Sequence, residues 1–372
     1  MKIAIQAADL DNNRIDGTRV YLYNLLKYFG KLSPQNDFLI YHKNKFNSQL
    51  TPPNFSNYYF KKINFPLLWT QTSFSWNIWK ENVDILWMPM HNIPLLRKKR
   101  LKTIVTIHDL AFKKFPQYFT FKNLSKLNIL TDLAIKKSTK IIAVSHSTKQ
   151  DILNFYPHIK EEKIKVIYHG FDKSLFFKQP KKDVTNKILK KFNLHKSQFI
   201  LYVGAIQPRK NLITLIQAFE IFKKNNLSSF KLVLAGEKAW QWKKTIQTIQ
   251  NSPFSQDIIL TGKINFQEIT TLYQNASLFV FPSFYEGFGI PILEALASNT
   301  PTLAARNSSL TEVGGKAVQY FSEKNINELA KLIENVLYNK ILQEKMIAEG
   351  KNWIKNFSWE KCAQETLDFL LN

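Results

Sequence analysis

Two glutamates, Glu286 and Glu294, are separated by seven residues in the run FPSFYEGFGIPILEAL, Phe281 to Leu296. The apolar segment Ser277–Phe281 reads as a strand that delivers a loop. There Gly287 and Gly289 remove side-chain bulk, so backbone N–H groups can approach a ligand closely. Pro291 suits a first helical position, where its missing N–H is no loss. Glu286 then sits on the loop and Glu294 about one turn into the helix, and a carboxylate pair at a strand's C-terminal end suits hydroxyl groups. Taken alone, Glu294 also reads as an acid that stabilises a helix N-terminus. A second constellation is Tyr202-Val-Gly204-Ala-Ile-Gln-Pro208-Arg209-Lys210-Asn211, a strand, a turn and a helix beginning near Leu212. Two cations at a helix start oppose the macrodipole, and a bound anion resolves the conflict. A diphosphate fits, with a fork from Arg209 and a compact charge from Lys210.

With these blocks the sequence resembles glycosyltransferase family 4, retaining enzymes of the GT-B fold that use nucleotide sugars. The resemblance rests on the E-x7-E run and the P-R-K-N string, and it extends over essentially the whole chain. It implies that Glu286 contacts the donor sugar, Glu294 the nucleotide ribose, and Arg209 and Lys210 the diphosphate. It also implies that Gly204, Gly236, Gly262, Lys263, Ile264, Gly287, Phe288, Gly289 and Ile290 line the donor site. In the N-terminal half, Gly17-Thr18 matches a place where the backbone approaches the diphosphate. Thr106-Ile107-His108-Asp109 ends a strand where open α/β sheets place ligand loops. Its match to the family's cleft motif gives His108 a catalytic contact. Ser145, Ser147 and His169-Gly170-Phe171-Asp172 match recurrent positions, although Ser147 is equally a plain N-cap for a helix at Thr148. Gly236-Glu-Lys-Ala-Trp240 resembles the branch that transfers mannose or rhamnose in polysaccharide and lipopolysaccharide synthesis, so GDP-mannose is the favoured donor and a glycan or lipid-linked molecule the acceptor. There are two departures. Ala205 and Ile206 follow Gly204 where many relatives carry an arginine, which leaves Arg209 and Lys210 to carry the charge. Asn299 stands in a turn that commonly holds glycine. Asp9-Leu10-Asp11 spells D-x-D but follows the first strand directly and reads as a polar loop. The expectation is no metal and no cofactor besides the donor.

These residues require strands that end in loops, and the chain supplies them in two series. The first is Lys2–Ala7, Phe38–Tyr41, Ile85–Trp87, Thr103–Ile107, Lys140–Val144 and Lys165–Tyr168. The second is Phe199–Ile206, Lys231–Ala235, Asp257–Thr261, Ser277–Phe281, Pro301–Ala304 and Val318–Phe321. Helical patterns alternate with them, the signature of parallel sheets covered on both faces. The expected fold is α/β, with two tandem doubly wound Rossmann-like domains facing a cleft. Residues 1–175 form an acceptor-side domain and 176–356 a nucleotide-sugar-binding domain. Residues 357–372, capped by Ser358, form a helix that by resemblance returns to the first domain. Asn265 with Glu268, and Asn325 with Glu328, fit the capping box.

Composition narrows the class. The 372 residues suffice for two α/β domains, and one cysteine, Cys362, forms no intrachain disulfide and suits a reducing, cytoplasmic setting. The start MKIAIQAADLDNN lacks the pattern of a signal peptide, and no apolar run approaches the roughly 18 residues of a membrane span. The net charge of +24 predicts attraction to anions. Clusters such as Arg97-Lys98-Lys99-Arg100, Lys113-Lys114 and Lys136-Lys137 favour the N-terminal half, as a solvated surface or as a peripheral face on the inner side of the cytoplasmic membrane; nucleic acid is not expected. Trp69, Trp76 and Trp79 read as a buried helix face, with interfacial anchoring as the alternative. Signatures of dinucleotide binding, P-loops, zinc proteases and serine hydrolases are absent. A nucleotide-sugar epimerase of the same fold and a non-catalytic basic protein remain as rivals.

Overall fold

The computed structural model of the protein describes residues 1–12, 15–64, 68–178 and 180–372. Two compact units emerge: Met1–Gly170 together with Phe357–Asn372, and Phe171–Asn356. Among the described residues the first holds seven parallel strands, β1 (Lys2–Gln6), β2 (Asp37–His42), β3 (Tyr58–Lys62), β4 (Ile85–Met88), β5 (Lys102–Ile107), β6 (Lys140–Ala143) and β7 (Ile164–Val166). Their spatial order is β3-β2-β1-β4-β5-β6-β7. The second unit holds β8 (Phe199–Val203), β9 (Lys231–Ala235), β10 (Ile258–Gly262), β11 (Leu278–Phe281), β12 (Thr302–Ala305) and β13 (Gln319–Phe321), ordered β10-β9-β8-β11-β12-β13. Both are doubly wound Rossmann-like sheets. Central strands such as Ile85-Leu-Trp-Met88 and Phe199-Ile-Leu-Tyr-Val203 are buried along their whole length, as strands covered by helices on both faces must be.

The sequence reading misses β3, whose Tyr58-Tyr-Phe-Lys-Lys62 run is half polar. That composition suits its place at the sheet's edge, where lysines discourage pairing with another chain. It also runs β8 on to Ile206, whereas the strand ends at Val203, because Gly204 takes φ +150 and turns the chain. The last strand of the first sheet starts at Ile164 and stops two residues before Tyr168.

Ser358 caps the final helix, Trp359–Leu371, by accepting from the Lys361 N–H. This helix lies in the first unit, where a Cβ on Gly170 would fall 2.1 Å from the Trp359 nitrogen, so only glycine fits. Asn265 and Glu268 form the expected reciprocal box. At Asn325 only half of it forms, because Glu328 turns to the Ser322 N–H instead. Asn299 takes φ +60, a left-handed conformation that asparagine tolerates, and so stands in for the glycine its turn commonly carries. The tryptophan expectation is corrected. Trp69 is buried and stacks on Phe74, but Trp76 and Trp79 are exposed, because Phe74, Ser75 and Ile78 already form the inner face of the Ser73–Lys80 helix. Among the described residues no helix is long and apolar enough to cross a membrane, and no group of three metal-ligating side chains converges.

Candidate functional site

In the second sheet the chain leaves β8 toward β9 on one side and β11 toward β12 on the other. The gap between β8 and β11 is therefore the topological switch point, whose C-terminal end is the usual ligand crevice of open α/β sheets. Both sequence constellations arrive there. After β8, Gly204 and Ala205 lead to the turn Pro208–Lys210, and Asn211 closes it at φ +55 before the Leu212–Asn226 helix. After β11 comes the loop that carries Glu286. Asn211 ties the two together, its amide donating to the Pro282 carbonyl at 3.1 Å and the Glu323 carbonyl at 2.7 Å. The Phe284 N–H donates to the Arg209 carbonyl at 2.9 Å.

The result is an ion cluster. Glu286 Oε2 accepts from Arg209 at 3.1 Å, and Oε1 accepts from Lys210 Nζ at 2.5 Å. The Arg209 guanidinium also donates to the Tyr285 carbonyl. All three charged side chains are largely buried. Burial by itself would raise the Glu286 pKa, but Lys210 and then Arg209 overcome it and hold the carboxyl at about 2. The family resemblance implies a diphosphate for the two cations and a sugar for Glu286. The structure brings all three into one network, so the anion that relieves the two cations at this turn is Glu286 itself.

Glu294 has a different environment. It is partly buried in the Ile290–Ala297 helix, with Gly289 at φ +114 as its cap and Pro291 at the second rather than the first helical position. The Tyr273 hydroxyl donates to Glu294 Oε2 at 3.0 Å. Burial raises its pKa to about 7, against the Tyr273 hydrogen bond and with a further push from Asp172. Two carboxylates on one loop-helix unit are thus poised oppositely, one fixed as an anion and one titrating near neutrality.

The glycines have unequal duties. A Cβ on Gly236, at φ +151, would fall 2.1 Å from the Gly204 carbonyl oxygen, so the ends of β8 and β9 close up only without side chains. Gly262, at φ +65 on the end of β10, faces open space. Lys263 is exposed and Ile264 and Ile290 partly so, whereas Gly287 and Phe288 are buried. The Phe288 ring therefore offers little to a ligand. Its carbonyl accepts from Ser309 Oγ at 2.6 Å, and the same hydroxyl donates to the Glu286 carbonyl at 3.0 Å. Ser308, at φ +45, accepts from the Glu286 N–H at 3.1 Å. The sequence reading overlooked Ser308, Ser309 and Tyr273. The Asn307-Ser-Ser309 string directly after β12 was a usable signal, since it is polar loop at the C-terminal edge of a buried strand.

The first unit has its own switch point, between β1 and β4. Gly17 and Thr18 are the first two residues of the helix Gly17–Leu32 that follows β1. Asp16 is the cap, accepting from Thr18 Oγ1 at 2.8 Å and from the Arg19 N–H at 3.3 Å. His108, just past β5, is buried against Tyr21 and stacks on His169 with ring centroids 5.6 Å apart. Its Nε2 lies 2.8 Å from the Pro89 carbonyl, which can only accept, so Nε2 carries the proton. Burial lowers its pKa to about 4, which keeps the ring neutral. Asp109, Asp16 and His91 are close enough to act on His108 electrostatically. His91 and Asp16 were not singled out from the sequence. Ser145, not Ser147, caps the helix His146–Phe155, and Asp11 of the D-x-D string is engaged by the Lys43 and Asn44 N–H groups at 2.7 and 2.8 Å.

Two family models match in tandem, "Glycosyltransferase Family 4" over residues 15–175 and "Glycosyl transferases group 1" over residues 184–353. The chain belongs to glycosyltransferase family 4. Similar curated members include O-antigen chain mannosyltransferase B of Escherichia coli, 32% identical over 49% of this chain and 48% of that protein. O-antigen chain mannosyltransferase RfbU of Salmonella typhimurium is 26% identical over 66% of this chain and 63% of its own. The chain thus spans about half the length of the first of these relatives. Among solved structures, Anabaena HepE in complex with UDP and glucose superposes with a TM-score of 0.77 at 17% identity, covering 100% of both chains. WaaG, a glycosyltransferase involved in lipopolysaccharide biosynthesis, gives 0.76 at 14% identity over 99% of both. At these identities the likeness is one of fold: the GT-B architecture of this glycosyltransferase family.

Proposed function

We propose that the chain transfers a hexose, mannose in our reading, from a nucleoside-diphosphate sugar to a glycan or lipid-linked acceptor in the cytoplasm, with retention at the anomeric carbon. The observation that carries this is the Arg209–Glu286–Lys210 cluster at the β8/β11 switch point. Two preorganised cations, held by a carboxylate with hydroxyl-binding capacity, are suited to a ligand that has a diphosphate next to a sugar. On donor binding the phosphate oxygens take the place of the carboxylate on Arg209 and Lys210, and Glu286 turns to the sugar hydroxyls. Charge that develops on the departing diphosphate then meets cations already in place, the electrostatic contribution that dominates such chemistry. Glu294 engages the ribose hydroxyls. In this scheme the acceptor attacks from the face the diphosphate leaves, and the departing phosphate takes the acceptor's proton. His108 is neutral with its Nε2 proton directed at the Pro89 carbonyl, so only Nδ1 is left to accept a hydrogen bond and we assign the ring no proton transfer. The O-antigen mannosyltransferases among the relatives support mannose as the sugar, and GDP as its carrier is our own reading. HepE, solved with UDP and glucose, marks the competing donor class.

The test is isothermal titration with GDP-, UDP- and ADP-sugars, followed by NMR of the product's anomeric proton with a mannose-containing acceptor. Tightest binding of GDP-mannose and an α-linked product are expected. Binding of UDP-sugars alone would overturn the donor assignment, and a β-linked product the retention.

A further inference from the structure

One face of the first unit has the outward surface of an interface. The Ser73–Lys80 helix crosses from β3 to β4 and the Phe121–Lys137 helix from β5 to β6, both advancing in the same direction across the sheet. Right-handed crossovers place them on the same face. The shared core agrees, since Phe74 and Ile78 of one helix and Ala134 and Ile135 of the other pack in one cluster with Leu86 and Val105 of the sheet. With Phe74 and Ile78 turned inward, Trp76 and Trp79 project outward at 47% and 44% exposure. Their rings stack at 5.4 Å, and Lys80 Nζ lies over Trp76 at 4.7 Å.

The basic loop is fastened beside this pair. Ser75 Oγ donates to the Leu96 carbonyl, and Lys98 Nζ donates to the Glu81 carbonyl at 3.1 Å and to Asn82 Oδ1 at 2.8 Å. Arg97 reaches the Lys137 carbonyl at 2.7 Å and so links the loop to the second helix. Leu95 and Leu96 are about half exposed, Lys99 and Arg100 stand in solvent, and Phe121 is 86% exposed. Indole rings, aliphatic side chains and cations alternate on one layer. Exposing two tryptophans is costly in water, and that cost is relieved where an apolar body and a polar tip are both satisfied, at a membrane's headgroup level.

We propose that this layer docks the protein on an anionic lipid surface, with Trp76 and Trp79 inserted among the headgroups and Lys80, Lys98, Lys99 and Arg100 on lipid phosphates. Charge complementarity with the +24 chain selects lipid over a neutral partner, and the exposed indoles select it over a purely ionic one. The inference rests on the surface alone and not on the transfer reaction. Its failure would leave the proposed function standing.

The experiment is vesicle co-sedimentation of the full chain with phosphatidylcholine alone and with phosphatidylglycerol added, at low and high salt. The probe is applied to wild type, Trp76→Ser/Trp79→Ser and Lys99→Gln/Arg100→Gln. Wild type should pellet only with anionic vesicles and lose them as salt rises. With about fivefold per cation near the surface, the charge variant should bind on the order of 25-fold more weakly. The tryptophan variant should lose binding at least tenfold while thermal melting and nucleotide binding stay at wild-type values. Equal sedimentation with neutral lipid, or a tryptophan variant that binds as wild type, overturns the proposal. So does competition by soluble nucleic acid that strips wild type and the tryptophan variant alike, which would name a polyanion as the partner.

Discussion

Replacing Glu286 with glutamine separates what the carboxylate does for the empty protein from what it does for a ligand. In the structure it is shared by Arg209 and Lys210, and its pKa of about 2 against an ordinary 4.5 means that both cations favour the anion strongly. Converted through linkage, that difference is about 3 kcal/mol of stability at neutral pH. A carboxyl whose pKa is lowered on folding contributes this stability above about pH 4.5 and loses it as pH falls through about 2. Glu286→Gln should therefore unfold in urea with about 3 kcal/mol less stability at pH 7, and the gap to wild type should close toward pH 2. The same substitution leaves two buried cations without their anion. A nucleoside diphosphate no longer has to displace a carboxylate, so its affinity should hold or rise by as much as tenfold while sugar transfer is lost. Titration with GDP and UDP, urea melts with and without nucleotide, and turnover at saturating donor measure the three effects. A variant with wild-type stability and at least fivefold weaker diphosphate binding would refute the reasoning, because Glu286 would then help to hold the phosphates rather than occupy their place.

Removing the cations should act in the opposite sense: Arg209→Ala and Lys210→Ala should each weaken nucleoside diphosphate and intact donor alike by roughly 1.5–3 kcal/mol, the scale of a hydrogen bond to a charged group, read by titration. Glu294 has its pKa raised to about 7, so its contribution favours the fold below about pH 4.5 and declines as pH rises through 7. Wild-type melting temperature should fall between pH 5 and 8, and Glu294→Gln should flatten that limb; a slope that survives the substitution would assign it to other groups. Gly236→Ala, which drives a Cβ into the Gly204 carbonyl, should cost several kcal/mol or prevent folding, whereas Gly262→Ala, strained in φ but facing open space, should cost about 1–2 kcal/mol in urea unfolding.

The sequence disclosed the two doubly wound sheets because buried parallel strands such as Ile85–Met88 and Leu278–Phe281 are continuous apolar runs set between helical patterns. It concealed β3, because an edge strand satisfies only one neighbour and can carry lysines. It found Glu286, Glu294, Arg209 and Lys210 as residues but could not show that three of them are mutually paired. Arg209 and Glu286 are 77 positions apart and meet only because β8 and β11 are neighbours across the switch point. For the same reason the opposed poise of the two glutamates was illegible: spacing places them on one loop and helix, but Tyr273 and the lysine–arginine pair arrive from elsewhere in the chain. Trp76 and Trp79 illustrate the remaining limit. Aromatic residues on a short helix predict burial on average. Which side of the helix meets the sheet was decided by Phe74 and Ile78, and those two already fill the only face that the eight-residue helix can bury. The outward rings are thus a consequence of packing that periodicity alone left ambiguous, and their position beside Lys99 and Arg100 makes them testable as a surface rather than as core.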